Sequence, residues 1–438
     1  IQWYNLGVAI YRIILNTINL KLHNIERSFF MDFNTKLQKY AELAVKTGVN
    51  IQPGQTLLVR TPIECAEYVR YVVEEAYKAG AKNVHIEWSD EKCNLIKYLN
   101  APDEAFEEFP RWISEQYLDI AKEGGAFLTI YAQDPDLLKN VDPKRIAEYQ
   151  KVSGQALKEW RGYTLTNKCR WSIVSIPTAA WAKKIFPDIS EKEAMDKLWE
   201  LIFKCSRVTE DPIQAWKEHN NNLKEKTDFL NSKKFKTLKY KSKITDLTVE
   251  MPEGHIWESG SEKDVNGIEF NPNMPTEEIF CLPHKFGVNG TLASTKPLVY
   301  GGNIINDFVL KFEKGRIVDF SAKEGEETLR HLIETDEGSH YLGEIALVPY
   351  SSPISDTNTV FYNTLYDENA SCHFAIGSAY SSCIEGGNDI AEEDFDKYGI
   401  NDSLTHVDFM VGSADLDIVG ITHDGEEIQI FKDGNWAF

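Results

Sequence analysis

The feature that most restricts the fold of this chain is a change of periodicity near residue 235. From Met31 to about residue 230, helical and strand patterns alternate. The segments "LQKYAELAVKTG", "ECAEYVRYVVEEAYKAGA", "DEAFEEFPRWISEQYLDIAKEG", "DPKRIAEYQKVSGQALKEW" and "EKEAMDKLWELIFKCSRV" read as helices, and "QTLLVRT", "NVHIEW", "AFLTIYA" and "WSIVSIPT" as strands. Such alternation predicts a mostly parallel sheet flanked by helices. Downstream, short strands separated by Gly, Asp and Asn turns take over, and "EETLRHLIETDE" is the one clear helix. "FEKGRIVDF" and "THDGEEIQIF" have the Lys-Gly and Asp-Gly turns of hairpins. The expected architecture is two-domain: an N-terminal α/β domain over residues 31–235 and a β-rich α+β domain over 240–438 that carries the chemistry. The Lys-rich run "KKFKTLKYKSK" between them reads as an exposed edge strand or linker.

A length of 438 residues suits two domains with a full core, and 42% hydrophobic residues mark a globular chain. The net charge of −21 repels phosphate backbones and anionic lipid headgroups, so neither nucleic acid nor a membrane is an expected partner. No run of about 18 apolar residues provides a membrane span. Seven cysteines without a C-x-x-C pair point to a reducing compartment. Residues 1–30 have Arg12 within their apolar part and their basic end after it, the reverse of a signal sequence. They read as an upstream or non-native extension before a natural start at Met31. A doubly wound sheet invites a nucleotide, but G-x-G-x-x-G after the first strand and G-x-x-x-x-G-K-[ST] are both missing. Fold class alone therefore assigns no cofactor.

The chemistry concentrates in the C-terminal half. In "LTHVDFMVGS", His406 and Asp408 are two apart on an expected strand, so their side chains share a face about 6.5 to 7 Å apart at the backbone. Alone, such a pair is equally well a histidine hydrogen-bonded to a neighbouring carboxylate. Glu344 in "LGEIALVP" lies on a strand with two apolar faces, where an unpaired carboxylate is very costly. "TLYDENASCHFAIGSAY" contributes Asp367, Glu368, His373 and Tyr380, and "MPTEEIFCLP" contributes Glu277 and Glu278. Glu277 reads as a solvated loop residue and Glu278 as the one that points inward. Cys372 reads as core, and His255, His284, His331, His340 and His423 as surface or structural. Oxygen-rich sites with a few imidazoles suit Zn, Co or Mn better than a thiolate site does. Two such ions can polarise a carbonyl and generate hydroxide at neutral pH, with a free glutamate as proton shuttle.

Together "MPTEEIF", "LGEIALVP", "FYNTLYDENASCHFAIGSAY" and "NDSLTHVDFMVGSADLDIVG" resemble the aminopeptidase T and aminopeptidase S family of co-catalytic metallopeptidases, from Met31 to the C-terminus. The resemblance implies a cytoplasmic, homodimeric exopeptidase with two divalent ions (Zn, Co or Mn) in its C-terminal domain. By motif it implies Glu278, Glu344, His373, His406 and Asp408 as ligands, with Glu344 as the bridge. Tyr380 is implied as ligand or as donor to the tetrahedral intermediate, and Glu368 as general base. The implied reaction is attack of a metal-activated hydroxide on the first peptide bond of short peptides with a free N-terminus. Two alternatives remain from the residues themselves: a catalytically silent binding or assembly protein that keeps the fold, and a two-metal phosphoesterase. The second would need cations around the ions, and the C-terminal motifs have almost none.

Overall fold

The computed structural model describes residues 31–438, so the expectation for residues 1–30 lies outside the described residues. Strands β1 (Thr56–Pro62), β2 (Asn83–Ser89), β3 (Ala126–Tyr131) and β4 (Trp171–Ser175) form a sheet in the order β2-β1-β3-β4, and every neighbour pair is parallel. The edge strand β2 is partly exposed, while at the central strands β1 and β3 both faces are buried. Leu57, Val59, Leu128 and Ile130 belong to one apolar cluster and Leu58 and Phe127 to another, which is why these strands read as continuous apolar runs. The segment at 103–124 is not a single helix: Pro110 has no N–H to donate, and the helix starts after it, at Arg111–Lys122.

The remaining strands follow in chain order: β5 (Phe235–Lys241), β6 (Asp246–Glu250), β7 (Glu258–Ser259), β8 (Glu262–Lys263), β9 (Glu269–Phe270), β10 (Ile279–Cys281), β11 (Val288–Ala293) and β12 (Leu298–Tyr300). After them come β13 (Asn303–Glu313), β14 (Arg316–Glu324), β15 (Leu342–Leu347), β16 (His373–Gly377), β17 (His406–Met410), β18 (Asp417–Thr422), β19 (Glu427–Lys432) and β20 (Asn435–Trp436). One antiparallel sheet runs β17-β16-β15-β10-β7, and a larger one runs β12-β13-β11-β6-β5-β18-β19-β20 with β14 on β13. The fold is thus an N-terminal α/β domain with a parallel sheet followed by a β-rich domain.

The Lys-rich run is not an edge. β5 lies between β6 and β18, with Phe235, Leu238 and Tyr240 buried and Lys236, Lys239 and Lys241 exposed. An antiparallel sheet with one wet face accepts lysine at alternate positions even in an internal strand.

The two cores interlock. Helix Pro212–Lys233 places Trp216 in the N-terminal core and Leu223 and Leu230 in the C-terminal one. In return Ile354, Phe361, Leu365, Tyr366 and Ala370 pack into the N-terminal core. Trp181 donates its indole N–H to the Phe361 carbonyl, and the Phe361 and Tyr366 rings stack at 4.8 Å.

A second tie is ionic. Arg170, just before β4, pairs with Asp264 in the loop between β8 and β9, both fully buried, and its Nε donates to the Val49 carbonyl at 3.1 Å. Asp264→Ala would leave a buried guanidinium without its counter-charge, which costs about 3–5 kcal/mol, whereas Arg170→Met with Asp264→Leu removes both charges and should cost far less. Guanidinium unfolding of the two variants checks this ordering.

Candidate metal centre

One face of the five-stranded sheet carries the ionisable groups. Across the ladder Glu344 on β15 opposes Ala375 on β16, and Ala375 opposes Asp408 on β17; Ala346 opposes His373, and Gly377 opposes His406. The other face, with Ile345, Leu347, Phe374, Ile376 and Phe409, is core. Small residues therefore stand between the functional ones and leave room above the sheet. A bulge between Leu342 and Glu344 sets this phase: Leu342 pairs with Ile376 on the core side, while Glu344 turns to the polar side. At Gly377, φ is +111° and an added Cβ would lie 2.2 Å from the Thr405 carbonyl oxygen. Only glycine fits there.

Both imidazoles are held from behind. His373 donates its Nδ1–H to the Glu368 carbonyl at 2.9 Å, and His406 donates its own to the Ser378 carbonyl at 2.7 Å. Each Nε2 is thereby turned into the cavity. That of His373 lies 3.0 Å from Glu278 Oε2 and 3.5 Å from Glu344 Oε1. That of His406 lies 3.3 Å from Glu344 Oε2 and 3.6 Å from Asp408 Oδ1. Two triads, Glu278–Glu344–His373 and Glu344–His406–Asp408, each have donor atoms within 4.8 Å of one another, and they share Glu344. Asp408 Oδ1 is buried with no hydrogen-bond partner. A backbone carbonyl on Nδ1 that turns Nε2 towards neighbouring carboxylates is how a metal-binding imidazole is held, and the carboxylate and imidazole donor set suits a divalent first-row ion. The residues fit a metal.

Electrostatics show the cost of the cluster without a cation. Burial alone would raise the Glu344 carboxyl, but hydrogen bonds from His373 and His406 overcome it and hold it down to about 2. Burial opposes charge on His406, yet Asp408 and Glu344 push it up to about 9. Burial raises Asp408 to about 6 against the pull of His406. Glu368 is pushed well above the carboxylate range by burial and then by Asp408 and Glu278. A bound cation supplies the same positive charge without protons, so binding releases them.

The cavity above the sheet, about 500 Å³, brings together Glu278, Glu344, Glu368, His373, Tyr380, His406 and Asp408. The Tyr380 ring stands edge-on to His406 at 5.0 Å. The opposite wall comes from the parallel sheet, with Tyr131, Trp171 and Ile173. Glu368 ends the short helix Thr364–Glu368, which is anchored in the N-terminal core through Leu365 and Tyr366, and Asn369 Nδ2 donates to its Oε1 at 3.2 Å.

Some neighbours depart from the sequence reading. Glu277 is not in a solvated loop: it is buried and accepts from Arg207 Nη2 at 2.9 Å, with His219 Nε2 3.8 Å away. Its partners sit on the helix Pro212–Lys233 and the turn before it, distant in sequence, and no local pattern marks them. Asp367 does not join the triads and accepts from the Phe361 and Asn363 N–H groups at 2.9 and 3.1 Å. Glu262, from the unpatterned "ESGSEKD", also lines the cavity, accepts from Asn167, and is raised to about 8 by burial and then by Glu258. Cys372 is buried as expected and bonds to the Val348 carbonyl at 3.3 Å.

Comparison with known proteins follows the same lines. The family model described as thermophilic metalloprotease (M29) matches residues 33–436. Aminopeptidase 2 of Geobacillus stearothermophilus is 53% identical over 404 residues, 92% of this chain and 98% of that protein. Aminopeptidase AmpS of Bacillus subtilis (strain 168) is 53% identical over 407 residues, 93% of this chain and 99% of that one. Aminopeptidase T of Thermus thermophilus is 39% identical over 406 residues, 92% and 99% of the two chains. The solved structure of wild-type AmpT from Thermus thermophilus superposes with a TM-score of 0.86 at 38% identity, over 93% of this chain and all of that one.

A cation that binds only the folded protein stabilises it by mass action, by about 2.7 kcal/mol when the free ion is at about 100 times its Kd. Chelation should therefore lower the melting temperature measured by differential scanning calorimetry, and added divalent ion should restore it.

Proposed function

The chain belongs to the thermophilic metalloprotease (M29) family and is a metal-dependent aminopeptidase, and from that premise we propose that it trims short peptides at a dinuclear centre held by Glu278, Glu344, His373, His406 and Asp408. The observation that supports this most directly is the pair of triads with Glu344 common to both. Zn, Co or Mn is the proposed occupant. Divalent ions bound there would supply Lewis acidity to the peptide carbonyl and lower the pKa of water.

The rest is the work of the protein's own groups. Glu368 is the general base: its carboxyl stands in the cavity, fixed by Asn369, but outside both triads. Burial and the neighbouring carboxylates keep it protonated unless positive charge at the triads offsets them, and the ionised carboxylate then accepts the proton of the attacking water and passes it to the leaving amine. The Tyr380 hydroxyl donates to the carbonyl oxygen as negative charge develops on it. Carboxylates with lone pairs to spare, such as Asp408, accept from the substrate α-ammonium, which restricts cleavage to the first residue. The same reading makes the protein a cytoplasmic homodimer. The silent binding protein has no observation in its favour, and a phosphoesterase would need cations directly around the triads, where the walls are Glu262, Glu278, Glu344, Glu368 and Asp408.

Release of nitroaniline from an aminoacyl anilide should stop on chelation and return with Zn, Co or Mn, while the N-acetylated substrate stays intact. Glu344→Ala should lose both ions, measured by elemental analysis. Glu368→Gln should keep its metal and lose about 10²- to 10⁴-fold in kcat. Loss of metal in that variant would make Glu368 a ligand instead.

A further inference from the structure

The metal cavity does not end at the metal ligands. Trp171, Ile173, Tyr300, Tyr380, His406 and Val407 line both it and an adjoining cavity of about 430 Å³. The two have opposite character. The walls of the first include Glu262, Glu278, Glu344, Glu368 and Asp408. The second has Arg60, Lys151 and Arg161 in its walls and, among the described residues, no Asp or Glu. In a chain of net charge −21 this is a marked local reversal.

Arg161 is the informative member. It sits in the helix Lys158–Leu165, half-buried, and its Nη1 donates to the Leu404 carbonyl at 3.3 Å. Among the described residues it has that hydrogen bond and no carboxylate partner, although a guanidinium has five N–H donors. Burial, and then the like charge of Arg60, work against its protonated form. Arg60 itself is partly neutralised, with Glu87 at 3.9 Å and the rings of Tyr117 and Trp160 at 5.0 and 5.7 Å. A guanidinium withdrawn from water without a counter-charge is unfavourable, and a ligand anion would relieve it.

We propose that this arm binds the C-terminal carboxylate of a short peptide substrate, with Arg161 as the anchoring group and Arg60 and Lys151 adding positive potential. The proposal rests on the aminopeptidase reading and deepens it. A peptide with both ends free is a zwitterion, and the joined cavities present acids where its ammonium enters and bases where its carboxylate lies. The scale fits as well. Leu404 is two residues, at most about 7 Å of chain, before His406, and each substrate residue beyond the scissile bond spans about 3.5 Å. A leaving portion of two or three residues therefore matches that span. The planar fork of Arg matches a carboxylate through two parallel hydrogen bonds, and such a contact is worth about a 10- to 100-fold difference in binding.

The test compares Leu-Gly-Gly with its C-terminal amide, with leucine p-nitroanilide as the measure of the basic reaction. In the metal-loaded wild-type enzyme the free acid should have a kcat/KM about 10- to 100-fold above the amide, mostly through KM. In Arg161→Met that ratio should fall towards one, and Arg161→Lys should recover part of it. Lys151→Met, at an exposed position that folding does not depend on, should lower the ratio by a smaller factor. Equal cleavage of acid and amide by an enzyme that hydrolyses the anilide, or an unchanged ratio in Arg161→Met, would overturn the proposal alone. Failure to hydrolyse the anilide with metal present would overturn the aminopeptidase reading beneath it.

Discussion

The burial of one carboxylate organises this structure. Glu344 is 5% exposed, on an internal strand whose every residue is buried. Removing a carboxylate from water is prohibitive unless positive charge meets it, and two imidazoles do so, one from each of the next two strands. Their placement needs β16 and β17 in one register only, since a slip of one residue would turn His373, His406 and Asp408 into the apolar core. The bulge at Gly343 and the positive φ of Gly377 are the local means by which that register is kept. Sheet pairing and site assembly are thus the same event.

The opposite wall of the cavity has a different origin. Glu368 belongs to the C-terminal half of the sequence, yet its helix rests on the N-terminal core through Leu365, Tyr366 and the Trp181 to Phe361 hydrogen bond. The donor groups on the sheet and the carboxyl facing them are therefore positioned by different cores. Arg170–Asp264 and the long helix Pro212–Lys233 tie the two cores together. A site whose reacting groups must be held to within a fraction of an ångström gains from this interlock.

What could be read from the sequence was what local pattern encodes. The central parallel strands β1 and β3 announce themselves as apolar runs because both of their faces are covered, and the edge strand β2 by its alternation. The i, i+2 spacing of His406 and Asp408 puts them on one face, and two apolar faces around Glu344 mark a carboxylate that must be paired. Other features depend on residues far apart in the chain. The burial of Glu277 depends on Arg207 and His219, the placement of Glu262 on a hairpin with no periodicity, and the internal position of β5 on β18, which is more than a hundred residues away in the chain. A lysine-rich alternation reports which face is wet, and says nothing about which strand lies beside it.

The same distinction applies to the charge of the whole chain. A net charge of −21 describes the far field, where phosphate backbones and anionic surfaces are repelled. Inside a cleft, solvent screening is weaker and the few groups on the walls decide. Here those walls are strongly acidic around Glu344 and basic around Arg161, a separation produced by placing the helix Lys158–Leu165 against the segment before His406. Neither stretch has a charge pattern of its own that signals it. The polarity of the cleft arises from tertiary contact between the two domains, so the change from acidic to basic walls follows from how they are joined as much as from the residues of either domain alone.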